Sequence, residues 1–500
     1  MDSSRQLKLG ALLSYVSIGI NIITGFLFTP WMISSIGKEN FGLYTLAMSV
    51  ISLFVFDFGL SSAVTRFIAK YLAEDKQEKA NQFLGLVGRL YLVIDIMFFF
   101  VLIGVFFFIP NIYKELTLNE IEKFKIIYAI SAIYSVFSFP FIPLNGVLTA
   151  HEKFVELRIC EIIQKIIIIS SMGFCLFWGY GLYALVLANA IAGFIMIGMK
   201  LWIILKKTSQ GADISYFNKA EFREIFGYSG WVTIIALAQR CIFNLAPTIL
   251  GALSGSTAIA ILGIATTLEG YTFTFASALN GMFLPKVSRI VADKDGDVLP
   301  LMVRVGRFQI YIIGLIVLGV VFWGRDFIRL WVGEAFDESY LCAVFIILPS
   351  LFYLPQDIGI QTIYAKNKVK KLMYVYIFMA LFNLAGAFIL APKFGTVGVC
   401  VSIGCAYILR TVGMDIIFKN DLGIDIWSFF KRTYLNLLPS FIVVIMISFV
   451  SNILINGETL VGFMLEVLIF IIVYGVIMMI SMNRDERKLI LSPVMAIIRK

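Results

Sequence analysis

The sequence predicts an all-α, polytopic membrane protein of fourteen transmembrane helices, built as two parallel six-helix lobes with two extra C-terminal helices. Three observations lead there. Hydrophobic residues make up 60% of the 500 and charged residues only 15%. Apolar stretches long enough to cross a bilayer follow one another from Ala11 to Met482, separated by short polar breaks. The chain also resembles itself at a shift of about 214–218 residues. In hydrocarbon an unpaired backbone amide costs several kcal/mol, so each segment must satisfy its own hydrogen bonds as a helix.

The expected spans are roughly 11–33, 41–65, 84–109, 125–149, 155–178, 182–205, 225–251, 258–284, 305–325, 339–364, 371–391, 395–418, 434–456 and 459–482. Each is near or above the ~20 residues that crossing requires. The first reads as a retained span, because the apolar run from Leu9 to Gly37 is too long for a cleaved signal and lacks a small-residue cleavage pattern. The run Ile166–Met199 holds 34 residues and no charge. As one helix it would be about 51 Å long, too long for a ~30 Å core, so the turn Trp178-Gly179-Tyr180-Gly181 divides it.

Charge sets the orientation. With the N-terminus in the cytoplasm, the inside segments and adjoining helix ends hold 33 of the 41 Lys and Arg, and the outside loops hold 7. Arg240 lies mid-helix. This one-sided distribution supports fourteen spans with both termini cytoplasmic. It also makes the net charge of +9 a topology signal and an attraction to anionic lipid heads, with no nucleic-acid partner expected. The six cysteines lie mostly within spans, without metal-ligand spacing, and read as small apolar residues.

The repeat divides the chain further. Ile36-Gly37 leads through Phe41-Gly42-Leu43-Tyr44 to Ala73-Glu74-Asp75-Lys76, as Ser254-Gly255 leads through Ile259-Ala260-Ile261-Leu262 to Val291-Ala292-Asp293-Lys294. Tyr180-Gly181-Leu182 matches Phe394-Gly395-Thr396. Six helices separate the copies, so both enter the membrane in the same direction, as in parallel repeats related by an axis along the membrane normal. The expected divisions are 1–207 (helices one to six), 208–420 (seven to twelve) and 421–500 (the last pair and a cytoplasmic tail). Pro30 aligns with Pro247, and Pro140 and Pro143 with Pro349 and Pro355. Proline inside a helix removes a hydrogen bond and kinks it. Matched kinks mark moving or cavity-lining helices, or simply the tolerance of membrane helices for proline.

Helix two reads Phe54-Val55-Phe56-Asp57-Phe58-Gly59-Leu60-Ser61-Ser62-Ala63-Val64-Thr65-Arg66, and further on come Gly146-Val147-Leu148-Thr149-Ala150-His151-Glu152-Lys153-Phe154 and the Tyr180-Gly181-Leu182 turn. Nearly the whole chain resembles the polysaccharide flippases: the O-antigen (Wzx-type) and related lipid-linked oligosaccharide translocases. Their superfamily also holds the MATE multidrug exporters and the lipid II flippase. The resemblance implies a MATE-like fold. It further implies that undecaprenyl-pyrophosphate-linked oligosaccharide repeat units pass from the inner to the outer leaflet of the bacterial cytoplasmic membrane, for O-antigen or capsule synthesis. Membrane lipids and polysaccharide polymerase machinery are the implied partners, the chain is expected as a monomer, and no cofactor is expected. A MATE-type cation or drug antiporter is the alternative, although that branch usually has twelve helices.

Intramembrane charges are the candidate binding residues, since a charge at mid-bilayer costs about 2.5–3.5 kcal/mol on insertion scales. Arg240 in helix seven reads as the deepest cation and Glu269 in helix eight as the deepest anion, at similar depth on adjacent helices. They either pair as a clamp, or Arg240 faces the inter-lobe cavity to hold an anionic sugar or pyrophosphate, with Glu269 positioning it. Asn21 aligns with Gln239, so both lobes carry an amide at that depth, suited to sugars or to interhelical hydrogen bonding. Asp57 and Arg66, nine residues apart, face opposite sides of a straight helix, which leaves Arg66 at the inner surface to meet the carrier's pyrophosphate or lipid phosphate. Asp357 in helix ten and Arg410 in helix twelve complete the set. Arg410 and Asp415 are five apart and not stacked. Asp57, Glu269 and Asp357 are candidates for proton coupling. An enzyme is not expected: the single histidine, His151, has no companion metal ligands, no phosphate-cradling glycine loop appears, and the outer loops are short.

Overall fold

The structure, a computed structural model, describes residues 3–54, 57, 60–216, 218–277, 283–293, 296–454 and 459–487. Outside them lie four residues of the helix-two motif (55–56 and 58–59), part of the expected ends of helices eight and thirteen (278–282 and 455–456), Lys294, and most of the expected cytoplasmic tail (488–500). The described residues form helices and turns, with no strand among them. Among them, twelve helical stretches are long and apolar enough to cross a membrane.

In the first part of the chain the helices are α1 (Ser3–Ile36), α2 (Lys38–Phe54), α3 (Leu60–Ala73), α4 (Gln77–Ile112), α5 (Leu118–Ser138), α6 (Leu144–Ala150), α7 (Phe154–Phe177) and α8 (Leu182–Lys207). Next come α9 (Lys219–Leu253), α10 (Gly255–Ser277), α11 (Leu284–Ala292), α12 (Leu299–Val332), α13 (Glu338–Ile347), α14 (Ser350–Tyr353) and α15 (Asp357–Ala365). The last are α16 (Val369–Leu422), α17 (Ile426–Phe430), α18 (Leu438–Leu454) and α19 (Leu460–Ser481).

Two places separate the twelve stretches from the fourteen expected. α16 runs 54 residues, but Gly395 inside it has φ 55° and ψ −133°, which no helix contains and which glycine alone adopts without strain. At 1.5 Å per residue, α16 would otherwise be about 81 Å long. Over expected helix two (41–65) the described residues form α2, to Phe54, and α3, from Leu60, with Asp57 between them; 55–56 and 58–59 lie outside the described residues. The Asp57 carboxylate accepts the backbone N–H of Ser61 at 3.0 Å. That local bond competes with continuation of the helix. The aligned prolines act unequally. Helix four breaks at Pro140 and Pro143 into α5, a tight turn over Phe139–Phe141, and α6. Helix ten breaks at Pro349 and Pro355 into α13, α14 and α15. Pro30 and Pro247 sit inside α1 and α9, which continue across them.

Contacts divide the chain into two compact units: residues 1–263 with 372–403, and residues 264–371 with 404–500. In the first, α7 packs on α1 and α8, α2 on α9, and α3 on α4 and α6. Its core gathers Val64, Phe83, Tyr91, Phe139 and Cys160, all within 2% of full burial. At one end of this unit several turns converge. The Glu120 carboxylate caps α5 with Thr117 and accepts the Ser256 hydroxyl. Thr396 donates to the Ala258 carbonyl at 3.4 Å, and a Cβ at Gly42 would stand 2.0 Å from the Ser256 oxygen. By the orientation expected from charge, these are outer ends.

In the second unit α12 is the axis, packed by α13, α15, α18 and α19. The Trp323 and Phe470 rings lie 4.6 Å apart, and Tyr474 donates to the Tyr311 carbonyl at 2.8 Å. The turn after α12 is tied by Asp337, which accepts Arg325 at 2.6 Å and Arg329 at 2.7 Å. The hydrogen bond from Arg325, with help from Arg329, holds the Asp337 carboxyl at about 2, below the ~3.9 of a free aspartate. A depressed folded pKa means that the tie contributes above about pH 4 and is lost as pH falls toward about 2. Spin labels on Glu334 should therefore keep their mobility from pH 8 to 5 and gain mobility between about pH 4 and 2. Unchanged spectra at pH 2 would contradict this.

Candidate functional site

In the first unit, Arg240 projects from α9 and its Nη1 donates to the Ser52 carbonyl at 2.7 Å. Ser52 lies two residues before Phe54, the end of α2. Asp57, between α2 and α3, acts electrostatically on Arg240 and accepts the Tyr91 hydroxyl at 3.3 Å. The Arg240 cation thus has a backbone carbonyl and a carboxylate around it. Gln239, beside it on α9, is exposed, as is Asn21 on α1. Arg66 is exposed on α3, with its guanidinium 5.9 Å from the Phe67 ring centre.

Asn21 opens into a cleft of about 180 Å³ between α1 and α7, shared with Thr24, Gly25 and Lys165. Lys165 escaped the sequence reading. Counted by apolar runs, it falls just before the uncharged stretch Ile166–Met199 and passes for an inside-segment cation. Counted from the turn that starts α7 at Phe154, it stands at mid-helix. The signal was the Glu152-Lys153 turn, which sets where the helix begins.

In the second unit the break in helix ten positions a separate polar group. Tyr353 stacks under the Arg410 guanidinium at 5.2 Å. Asp357, at the start of α15, accepts Gln361 at 3.3 Å and feels the charge of Arg410. Asp415 accepts Gln356 at 2.8 Å. Asp357 and Arg410, expected only as separate candidates, are brought together here. Glu269 is half-buried on α10 in this unit, whereas Arg240 lies in the other. His151, between α6 and α7, meets Gln210 at 3.3 Å; burial, the larger influence, pushes its pKa below the ordinary value, so the ring is neutral at pH 7.

Comparison with known proteins agrees with this architecture. Residues 7–290, more than half of the chain, match the polysaccharide biosynthesis protein family. The uncharacterized membrane protein MJ1375 of Methanocaldococcus jannaschii is 22% identical over 374 residues, covering 73% of this chain and 86% of that protein. Among solved structures, the lipid II flippase MurJ in an inward closed conformation superposes with a TM-score of 0.75 at 17% identity, covering 96% of this chain and 99% of its own. An inward-facing multidrug resistance MATE family transporter superposes at 0.65 and 13% identity, covering 84% of this chain and all of its own. The chain therefore belongs to the polysaccharide biosynthesis protein family and has the all-α membrane fold shared by MurJ and the MATE transporters.

Proposed function

We propose that this protein flips undecaprenyl-pyrophosphate-linked oligosaccharide repeat units from the inner to the outer leaflet of the bacterial cytoplasmic membrane, for O-antigen, capsule or a similar surface polymer. The observation that carries this reading is the Arg240 group: a guanidinium at mid-span, held by the Ser52 carbonyl, with the exposed amide of Gln239 next to it. A cation suits pyrophosphate or an acidic sugar, and amides suit sugar hydroxyls. The family match and the fold shared with a lipid II flippase support the same class of cargo. Under this reading Asn21, Gln239 and Arg240 contact the sugar or phosphates. Arg66 meets the pyrophosphate at the inner surface, and the Asp357–Arg410 group and Glu269 serve the second repeat. Asp57, Glu269 and Asp357 are the positions for proton coupling. The divisions 1–207 and 208–420 are proposed as the two lobes that rock, with 421–500 an added helix pair and tail, both termini are cytoplasmic, and the protein acts as a monomer beside polymerase machinery.

Arg240→Ala is expected to lower export at least 100-fold while the protein still inserts, with lipid-linked sugar accumulating in the inner leaflet. Arg240→Lys should retain part of the activity, because a point charge replaces the fork. Unchanged export from a normally expressed Arg240→Ala protein would remove this residue from the site. Export of dye-like cations by vesicles, insensitive to that substitution, would favour the MATE-type antiporter instead.

A further inference from the structure

Lys165 lies eleven residues from Phe154 and twelve from Phe177, the ends of α7. At 1.5 Å per residue it stands about 17 Å from either end, at mid-membrane depth. An ammonium facing lipid there is costly. Yet Lys165 is half-exposed, and its neighbour across the cleft, Asn21, is exposed. The two polar groups share the cleft with Thr24 and with the apolar Ile20, Phe28, Ile168, Ile169 and Met172.

The charges around Lys165 do not balance. Its Nζ donates to the Ser17 carbonyl at 3.3 Å, and among the described residues it forms no ion pair. The nearest carboxylate, Glu161, is one turn away and is held by Arg158 at 2.7 Å. Glu161 also acts on Lys165 and on Lys200 of α8. Lys200 is buried and donates to Asn145 at 2.8 Å. One anion therefore serves three cations, and the Lys165 ammonium is the one that opens into the cleft. On the facing helix, Ser17, Asn21 and Thr24 are spaced four and three residues apart, which puts them on one face. The cleft's ~180 Å³ equals roughly six water volumes at about 30 Å³ each, room for one or two phosphate groups.

We propose that the α1–α7 cleft is an anion-binding subsite, in which Lys165 and Asn21 hold the pyrophosphate or another anionic group of the cargo while it crosses. This rests on the flippase reading for the identity of the cargo, but not for the existence of the subsite. Arg240 receives its counter-charge from the Ser52 carbonyl and Asp57. The carboxylate that acts on Lys165, Glu161, is itself held by Arg158, which leaves the ammonium charge incompletely balanced on its cleft side.

The full chain in nanodiscs tests this. Thr24→Cys, which lines the same cleft and leaves Lys165 and Asn21 in place, is expected to react with a water-soluble anionic thiol reagent, above the background of the six native cysteines, and inorganic pyrophosphate or undecaprenyl pyrophosphate should slow that reaction at least fivefold. Protection by the lipid alone identifies the carrier headgroup as ligand; protection by soluble pyrophosphate identifies the free anion as sufficient. Lys165→Ala should weaken pyrophosphate binding at least tenfold, and Lys165→Arg should restore it to within about threefold. Absence of reaction, absence of protection by either anion, or unchanged binding in Lys165→Ala would overturn the subsite. Protection and tight binding in a protein that moves no lipid-linked oligosaccharide would leave the subsite standing and remove the flippase reading.

Discussion

Replacing Gly42 with leucine is expected to prevent closure at the end of the first unit where α2 meets α10, and to reduce transport by one to two orders of magnitude. A Cβ at position 42 would stand 2.0 Å from the Ser256 carbonyl oxygen, 2.9 Å from its carbon and 3.3 Å from the Ala260 nitrogen. All three are backbone atoms, so no side chain can rotate away. The helices must separate, taking with them the Glu120–Ser256 hydrogen bond. Overpacking of this kind costs about 1–3 kcal/mol, equivalent to roughly 5–150-fold in a two-state equilibrium. Gly42→Ala should show a smaller effect of the same sign. Distances between spin labels at Lys38 and Ser254 should lengthen in Gly42→Leu. Unchanged distances together with normal export would show that this contact is not part of the transport cycle.

Loss of the Glu486 carboxylate is expected to destabilise the protein by about 3–5 kcal/mol, the usual consequence of stranding a buried charge. Arg307 on α12 meets Glu486 beyond α19 through Nε–Oε1 at 2.6 Å and Nη2–Oε2 at 3.2 Å. Both side chains are about 5% exposed. The Tyr311 hydroxyl accepts from Arg307 at 2.7 Å and donates to Glu486 at 3.1 Å. The guanidinium also donates to the carbonyls of Arg432 and Ser481. This network fastens both ends of the last helix pair to helix nine. Glu486→Gln should lower the melting temperature in detergent markedly, and added salt should not reproduce the effect, because the pair is screened little. The double change Arg307→Met with Glu486→Leu should recover much of the loss, since an apolar pair removes both desolvation penalties. A single variant that melts like the wild type, or a double variant no better than the single, would contradict this.

How far the sequence could be read depended on the range of the interactions involved. The Trp178–Gly181 turn divides α7 from α8 as expected, because bilayer thickness and glycine content are local facts. Pro140, Pro143, Pro349 and Pro355 break their helices for an equally local reason: a missing N–H. Pro30 and Pro247 show the limit, since neighbouring packing keeps α1 and α9 helical across them. Asp57 was legible as a candidate but not in its role. It accepts hydrogen bonds from Ser61, at the start of α3, and from Tyr91, which is 34 residues away. Lys165 was missed because counting charges by loop ignores where a helix begins.

By itself the chain determined that it is helical and that it crosses a membrane many times. Those outcomes follow from hydrophobicity, length and the need of every backbone amide for a partner, all additive along the sequence. Tertiary structure alone decided which charges keep company: Arg240 with the Ser52 carbonyl, Asp357 with Arg410, Arg307 with Glu486. The reason is that hydrogen bonds need contact at about 3 Å and a charge pair weakens as its separation grows, so both are set by which helices pack together, across 188, 53 and 179 residues of chain.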